Sequence, residues 1–184
     1  MGLIEKSREY RSKKLAGVGR FLVKLGISAN LLTFLSFISG LLAVYFLFDN
    51  YVFFVIFALF HLLFDSIDGV VARLSKTSKF GEYFDWVSDQ LVTFSALVKT
   101  GWFIGDFYAY IVAGIFALAF IIFLWSKFKA PMYFIRLTML IILSIVTFPF
   151  LPYTKTFLTG AYLTAGVISV YSLARQMQWW MERR

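Results

Sequence analysis

The sequence predicts an all-α integral membrane protein, with six transmembrane helices preceded by an amphipathic helix at the membrane surface. Three observations predict it. The 184 residues are 60% hydrophobic and 21% aromatic, with a mean hydropathy of +0.78, more apolar surface than a soluble domain of this length can cover. The apolar residues fall into six runs, at roughly 30–48, 51–72, 83–100, 107–125, 132–150 and 157–178. Each approaches the length of about 20 residues that a spanning helix needs, and none alternates with the period of a strand. Finally, Lys6, Arg8, Arg11, Lys13, Lys14, Arg20 and Lys24 interleave with Leu15, Val18, Leu22 and Leu25 at helical spacing. That pattern suits a helix lying on anionic lipid.

In order along the chain, residues 1–28 form the amphipathic segment and 29–184 the six-helix core of a single membrane domain. The N-terminal segment does not read as a signal peptide, because no small-residue cleavage site follows a short apolar core. Met1-Gly2 opens like a myristoylation site, but Lys6 stands where Ser or Thr is needed. Short connections separate the runs: Asp49-Asn50, the loop holding Arg73, Lys76 and Lys79, Gly101 to Asp106, Ser126 to Pro131, and Pro152 to Thr156. No internal repeat is visible. Basic residues set the orientation. With the N-terminus inside, the cytosolic side receives the seven N-terminal cations, Arg73, Lys76, Lys79, Lys127, Lys129, Arg175, Arg183 and Arg184. Lys99 and Lys155 fall outside, and Arg136 lies in the fifth run. The expected location is the cell membrane, with the acidic motif facing the cytosol.

Composition also excludes. There is no cysteine, hence no disulfide framework and no thiolate metal site. The single histidine, His61, argues against zinc, and its place one turn before Asp65 reads as a structural hydrogen-bonding or interfacial role. The net charge of +8 suits anionic phospholipid or phosphorylated substrates. Nucleic acid is not an expected partner, because binding it needs a soluble basic face. Trp179-Trp180 reads as part of an interfacial aromatic belt.

The chemistry concentrates in residues 64–90, which hold five of the ten acidic residues, four of them aspartates: Asp65, Asp68, Asp85 and Asp89. Spacings of three and four place each pair on one helix face. Carboxylates near lipid are costly and mark function by default. Gly69, Ala72 and Gly81 lie on or beside the same faces and permit two backbones to approach. Four converging carboxylates cannot all stay ionised unless cations share the site. The residues themselves therefore point to a metal site built from two helices. Two other functions use such carboxylates: an ion or metal transporter, and an aspartate-rich membrane prenyltransferase. The first usually places its site at mid-membrane between repeated halves; the second is a larger protein.

The pattern Asp65-x2-Asp68-Gly69-x2-Ala72-Arg73, then seven residues, then Gly81-x3-Asp85-x3-Asp89 resembles the signature of the CDP-alcohol phosphotransferase (phosphatidyltransferase) family. Asn30-x2-Thr33 at the start of the first span resembles another element of that family. The resemblance implies that a phosphoalcohol group passes from a CDP-linked lipid, CDP-diacylglycerol or an archaeal counterpart, to an alcohol acceptor, with release of CMP. It implies two divalent cations, Mg²⁺ or Mn²⁺, held by Asp65, Asp68, Asp85 and Asp89, with Asp89 as the general base. It further implies nucleotide binding by Asp65, Asp68, Gly69, Ala72, Arg73, Gly81, Asn30 and Thr33. Lys127, Lys129 and Arg136 become candidates for the phosphate of an acceptor such as glycerol phosphate or inositol phosphate, and a homodimer is expected.

Overall fold

The computed structural model describes residues 15–75, 79–133, 136–149 and 154–183, and for residues 136–138 the backbone alone. Among these residues every regular element is a helix: α1 (residues 15–24), α2 (Ala29–Phe46), α3 (Tyr51–Leu74), α4 (Lys79–Ile104), α5 (Phe107–Trp125), α6 (Arg136–Val146) and α7 (Thr154–Met181). Four of them, α2, α3, α5 and α7, are long and apolar enough to cross a membrane. Val52, Leu59, Leu118 and Val167 lie exposed along them, as lipid-facing side chains should. The chain is an integral membrane protein.

The chain divides into two compact units, residues 1–43 with 55–89 and residues 44–54 with 90–184. In the first unit, α1 ends where Gly26 takes φ +76°. The Gly26 amide donates to Val23 O and the Ile27 amide to Leu22 O, satisfying the last carbonyls of the helix. Ser28 then opens α2, its Oγ accepting from the Leu31 amide at 3.2 Å. Gly19 sits where α1 closes on α3: a Cβ there would stand 2.7 Å from Val70 Cγ1 and 2.9 Å from Leu74 Cδ1. Arg20 and Lys24 stay exposed beside Val18, Phe21 and Leu25. Residues 1–14, with five of the seven expected N-terminal cations, lie outside the described residues.

Two polar contacts clasp α2 to α3. The Ser36 hydroxyl donates to the His61 carbonyl at 2.9 Å, and His61 Nδ1 lies 2.9 Å from the Ser36 carbonyl. Both side chains are buried. Apolar lipid cannot compete for such groups, so the reciprocal pair fixes the register of the two helices. One turn back on α2 and two turns on along α3, Thr33 meets Asp68.

In the second unit, α5 packs along α7, and α6 also packs on α7. Small residues are frequent among the buried positions of the two helices: Ala109, Ala113 and Ala119 on α5, and Ala161, Ala165 and Gly166 on α7. A Cβ on Gly166 would reach 2.9 Å from Val112 Cγ2, so only glycine permits this approach. Gln176 adds a buried bond from Nε2 to the Ala119 carbonyl at 3.0 Å. Gly105, at φ +73°, turns the chain from α4 into α5, whose N-terminus Asp106 caps through the Tyr108 amide at 2.9 Å.

The helix bounds differ from the sequence expectation chiefly at the third and fifth runs. The third extends at both ends, to Lys79–Ile104, because charged Lys79 and Glu82 are good helix formers even though they are not apolar. The fifth shrinks to Arg136–Val146, eleven residues, about 16 Å of helix. Residues 131–133 ahead of it are not helical, and the helix stops three residues before Pro149. Proline disfavours the helical conformation at the position before it, and Phe148 is accordingly non-helical.

Candidate metal centre

The first unit assembles the aspartates from two helices. Asp65 and Asp68 stand on α3 one turn apart, and Asp85 stands near the start of α4. One carboxylate oxygen from each of the three lies within 4.8 Å of the other two. Asp68 is buried, at 5% exposure, while Asp65 and Asp85 are half-buried. The cluster thus has a closed floor and an accessible rim. Asp89, also half-buried, follows one turn later on α4 and falls outside this close trio.

Thr33 holds the buried member in place. Its hydroxyl lies 2.7 Å from Asp68 Oδ2 and 3.1 Å from the carbonyl of Ala29, one turn earlier on α2. The short contact is the charge-assisted one, and it fixes the orientation of the carboxylate. Asp68 can then present its other oxygen to the cluster. Burying a carboxylate among carboxylates is unfavourable unless cationic charge is supplied there. Oxygen donors alone, with no thiolate and no imidazole in the group, are the donor set of a hard divalent cation.

The remaining motif residues stand on α2, α3 and α4. Gly69 is half-buried directly after Asp68, and a Cβ built on it would lie 3.6 Å from Arg73 Nη1 and 3.9 Å from Nη2. The Arg73 guanidinium therefore lies back over the glycine, on the side of α3 where no side chain intervenes. Arg73 is exposed; Ala72 and Gly81 are half-buried. Asn30 is half-buried in the first turn of α2, three residues before Thr33. Lys127 and Lys129 belong to the second unit, where both are exposed in the turn after α5. The side chain of Arg136 and all of Lys76 lie outside the described residues.

Two supporting residues are absent from the sequence reading: Ser36, which clasps His61, and Gly19, which lets α1 reach the last turn of α3. A signal for the first exists. Thr33 and Ser36 share a face of α2, as His61, Asp65 and Asp68 share a face of α3, and an antiparallel pairing matches them two by two.

Comparison with known proteins agrees with this geometry. The family model described as CDP-alcohol phosphatidyltransferase matches residues 26–174. No curated protein sequence matches the chain. Among solved structures, the chain is similar to the Mycobacterium tuberculosis phosphatidylinositol phosphate synthase in complex with manganese and citrate. The TM-score is 0.68 at 21% identity, covering 88% of this chain and 86% of that one. It is similar also to that synthase with CDP-DAG bound, with a TM-score of 0.60 at 19% identity, covering 88% and 90%. At such identities the likeness establishes a shared fold.

Proposed function

Because the chain belongs to the CDP-alcohol phosphatidyltransferase family, its activity is the transfer of a substituted phosphate group from a CDP-alcohol to an alcohol acceptor, and we propose that the aspartate cluster of α3 and α4 performs it. The observation that carries this reading is the convergence of Asp65, Asp68 and Asp85 within 4.8 Å around a buried, threonine-held carboxylate. The transporter and prenyltransferase readings give way with that membership.

The donor set fits Mg²⁺ or Mn²⁺, and a structural neighbour contains manganese. Asp65, Asp68 and Asp85 would hold the metal, with Asp89 reaching a second ion. When bound, such ions neutralise the pyrophosphate and polarise the attacking hydroxyl. The residues of the chain do the rest. Gly69, Ala72 and Gly81 leave room for the nucleotide, Asn30 and Thr33 border it, and Arg73 offers its planar fork to the phosphates. The acceptor oxygen bonds to the β-phosphorus, the bond from that phosphorus to the bridging oxygen breaks, and CMP leaves. Asp89 takes the hydroxyl proton. A carboxylate is a weak base at neutral pH, so this transfer comes late in the step.

The donor we propose is a CDP-linked lipid, since a neighbour binds CDP-DAG and Asp65 and Asp68 stand on α3, a helix long and apolar enough to cross a membrane. The acceptor is a small alcohol, with Lys127, Lys129 and Arg136 suited by charge to a phosphate on it. We further propose one membrane domain with six spans, α1 as the interfacial helix, the cluster facing the cytosol, and a homodimer. The chain has no cysteine, so a single introduced cysteine reports topology: one at Lys127 should label from the cytosolic side and one at Asn50 from outside. The activity test is CMP release from CDP-diacylglycerol across a panel of acceptors, free and phosphorylated. Turnover with one acceptor class, lost in EDTA and restored by Mg²⁺ or Mn²⁺, supports the reading; full turnover without metal overturns it.

A further inference from the structure

Helix α5 is 19 residues of nearly unbroken apolar sequence, about 28 Å, close to the thickness of the hydrocarbon layer. It ends at Trp125, and the chain turns polar at Ser126 and Lys127. Trp125 thus marks the level of the lipid headgroups. At that level a cleft of about 320 Å³ opens within the second unit, lined by Trp125, Ser126, Trp179, Trp180 and Arg183.

The lining has two chemical parts. Trp125 and Trp180 are largely exposed and offer broad apolar faces, at 81% and 50% exposure. The Arg183 guanidinium stacks over the Trp179 ring, 4.0 Å from its centroid. Stacking occupies one face of the guanidinium and leaves its in-plane N–H donors at the edge, the geometry that grips a phosphate through two parallel hydrogen bonds. The neighbouring polar groups are otherwise engaged. Ser126 Oγ accepts from the Lys129 and Ala130 amides, Arg175 Nη1 donates to Gln178 Oε1, and Gln178 Nε2 donates to Glu182 Oε1. Across residues 125–133 and 172–183 the cations Lys127, Lys129, Arg175 and Arg183 face a single carboxylate, Glu182.

We propose that this cleft binds an anionic phospholipid, its headgroup phosphate on Arg183 and its glycerol and upper acyl chain against Trp125 and Trp180. The excess of positive charge favours an anionic over a zwitterionic headgroup. The exposed indoles favour a lipid over a soluble phosphate, which has no apolar body to place on them. None of the lining residues belongs to the aspartate cluster, so the proposal stands apart from the transfer reaction.

The test uses the full chain in mild detergent, titrated with phosphatidylglycerol or phosphatidylcholine brominated on identical acyl chains, with tryptophan quenching as readout. Quenching should saturate at a lower mole fraction of the anionic lipid. Arg183→Gln should move that midpoint about tenfold or more toward the zwitterionic one, as expected for loss of one charge-assisted contact. Arg183→Lys, which keeps the charge, should lose less. Equal midpoints for the two lipids, or no change in Arg183→Gln, overturn the proposal. Relief of quenching by millimolar inorganic phosphate would assign the cleft to a soluble anion instead. A smaller mass for Arg183→Gln in size-exclusion chromatography without lipid would assign it to a second copy of the chain.

Discussion

In the first unit, Asp65, Asp68 and Asp85 bring their carboxylates within 4.8 Å of one another, and a threonine hydroxyl orients the buried one. In the second unit, acids are treated differently. Asp49 meets Lys99 Nζ at 2.6 Å. Asp106 accepts from the Tyr162 hydroxyl and from the Tyr108 amide. There each carboxylate has a proton donor that belongs to the fold, and the contact secures a helix end or a turn. The same residue type therefore serves two purposes, separated by what stands around it. A carboxylate that stands apart from other acids, beside a fixed donor, is a fastening. Carboxylates beside each other, in a protein that could have avoided the repulsion, make a place for a cation.

Substitutions should separate the two. Asp68→Asn should have the largest effect: CMP release falls by roughly 10³-fold or more, matching the several kcal/mol that metal charge contributes to phosphoryl transfer. CDP-lipid affinity should fall with it. Turnover near that of the parent would erase the distinction drawn between the units. Asp89→Asn should slow turnover by roughly 10²–10⁴, the range for a general base, with CDP-lipid affinity little changed. If it lowers lipid binding as far as Asp68→Asn does, Asp89 is chiefly a ligand. Both variants must match the parent in size-exclusion behaviour.

Thr33→Val comes next. It keeps the volume, removes the hydroxyl from Asp68, and should raise the metal concentration for half-maximal activity by about 10–100-fold, with excess metal restoring the rate. An unchanged metal requirement would make the Thr33 contact merely structural. The smallest effects belong to the second unit. Asp106→Ala removes the cap of α5 and should cost about 0.5–2 kcal/mol in thermal stability, without altering turnover at saturating substrate. Lys99→Met should cost about 1 kcal/mol or less, because its partner Asp49 is largely solvent-exposed. A rate loss comparable to that of Thr33→Val would bring these acids into the catalytic account.

Much of this was legible before the fold was known, for physical reasons that vary by residue. The two aspartate pairs declare themselves because carboxylates are rare in apolar helices and because spacings of three and four define one face. The bounds of the four helices long and apolar enough to cross a membrane come within about three residues, since hydropathy governs them; α5 falls at 107–125, the run the sequence outlines. The pairings Thr33–Asp68 and Ser36–His61 were legible only in part: the spacing shows the shared faces of α2 and α3, but not the register that joins them. Gly19 reads as one residue of a basic surface helix until the close approach of Val70 and Leu74 shows what its missing side chain permits. The shortness of α6 was concealed by hydropathy, which continues past the residues where Pro131 and Pro149 interrupt the helix.

Mn²⁺ binding followed by electron paramagnetic resonance tests most directly whether three carboxylates of the first unit hold a divalent cation. The signal of free Mn²⁺ should diminish on titration with the parent protein and with Asp49→Asn alike, and persist with Asp68→Asn. Equal Mn²⁺ binding by the parent and by Asp68→Asn would contradict the account.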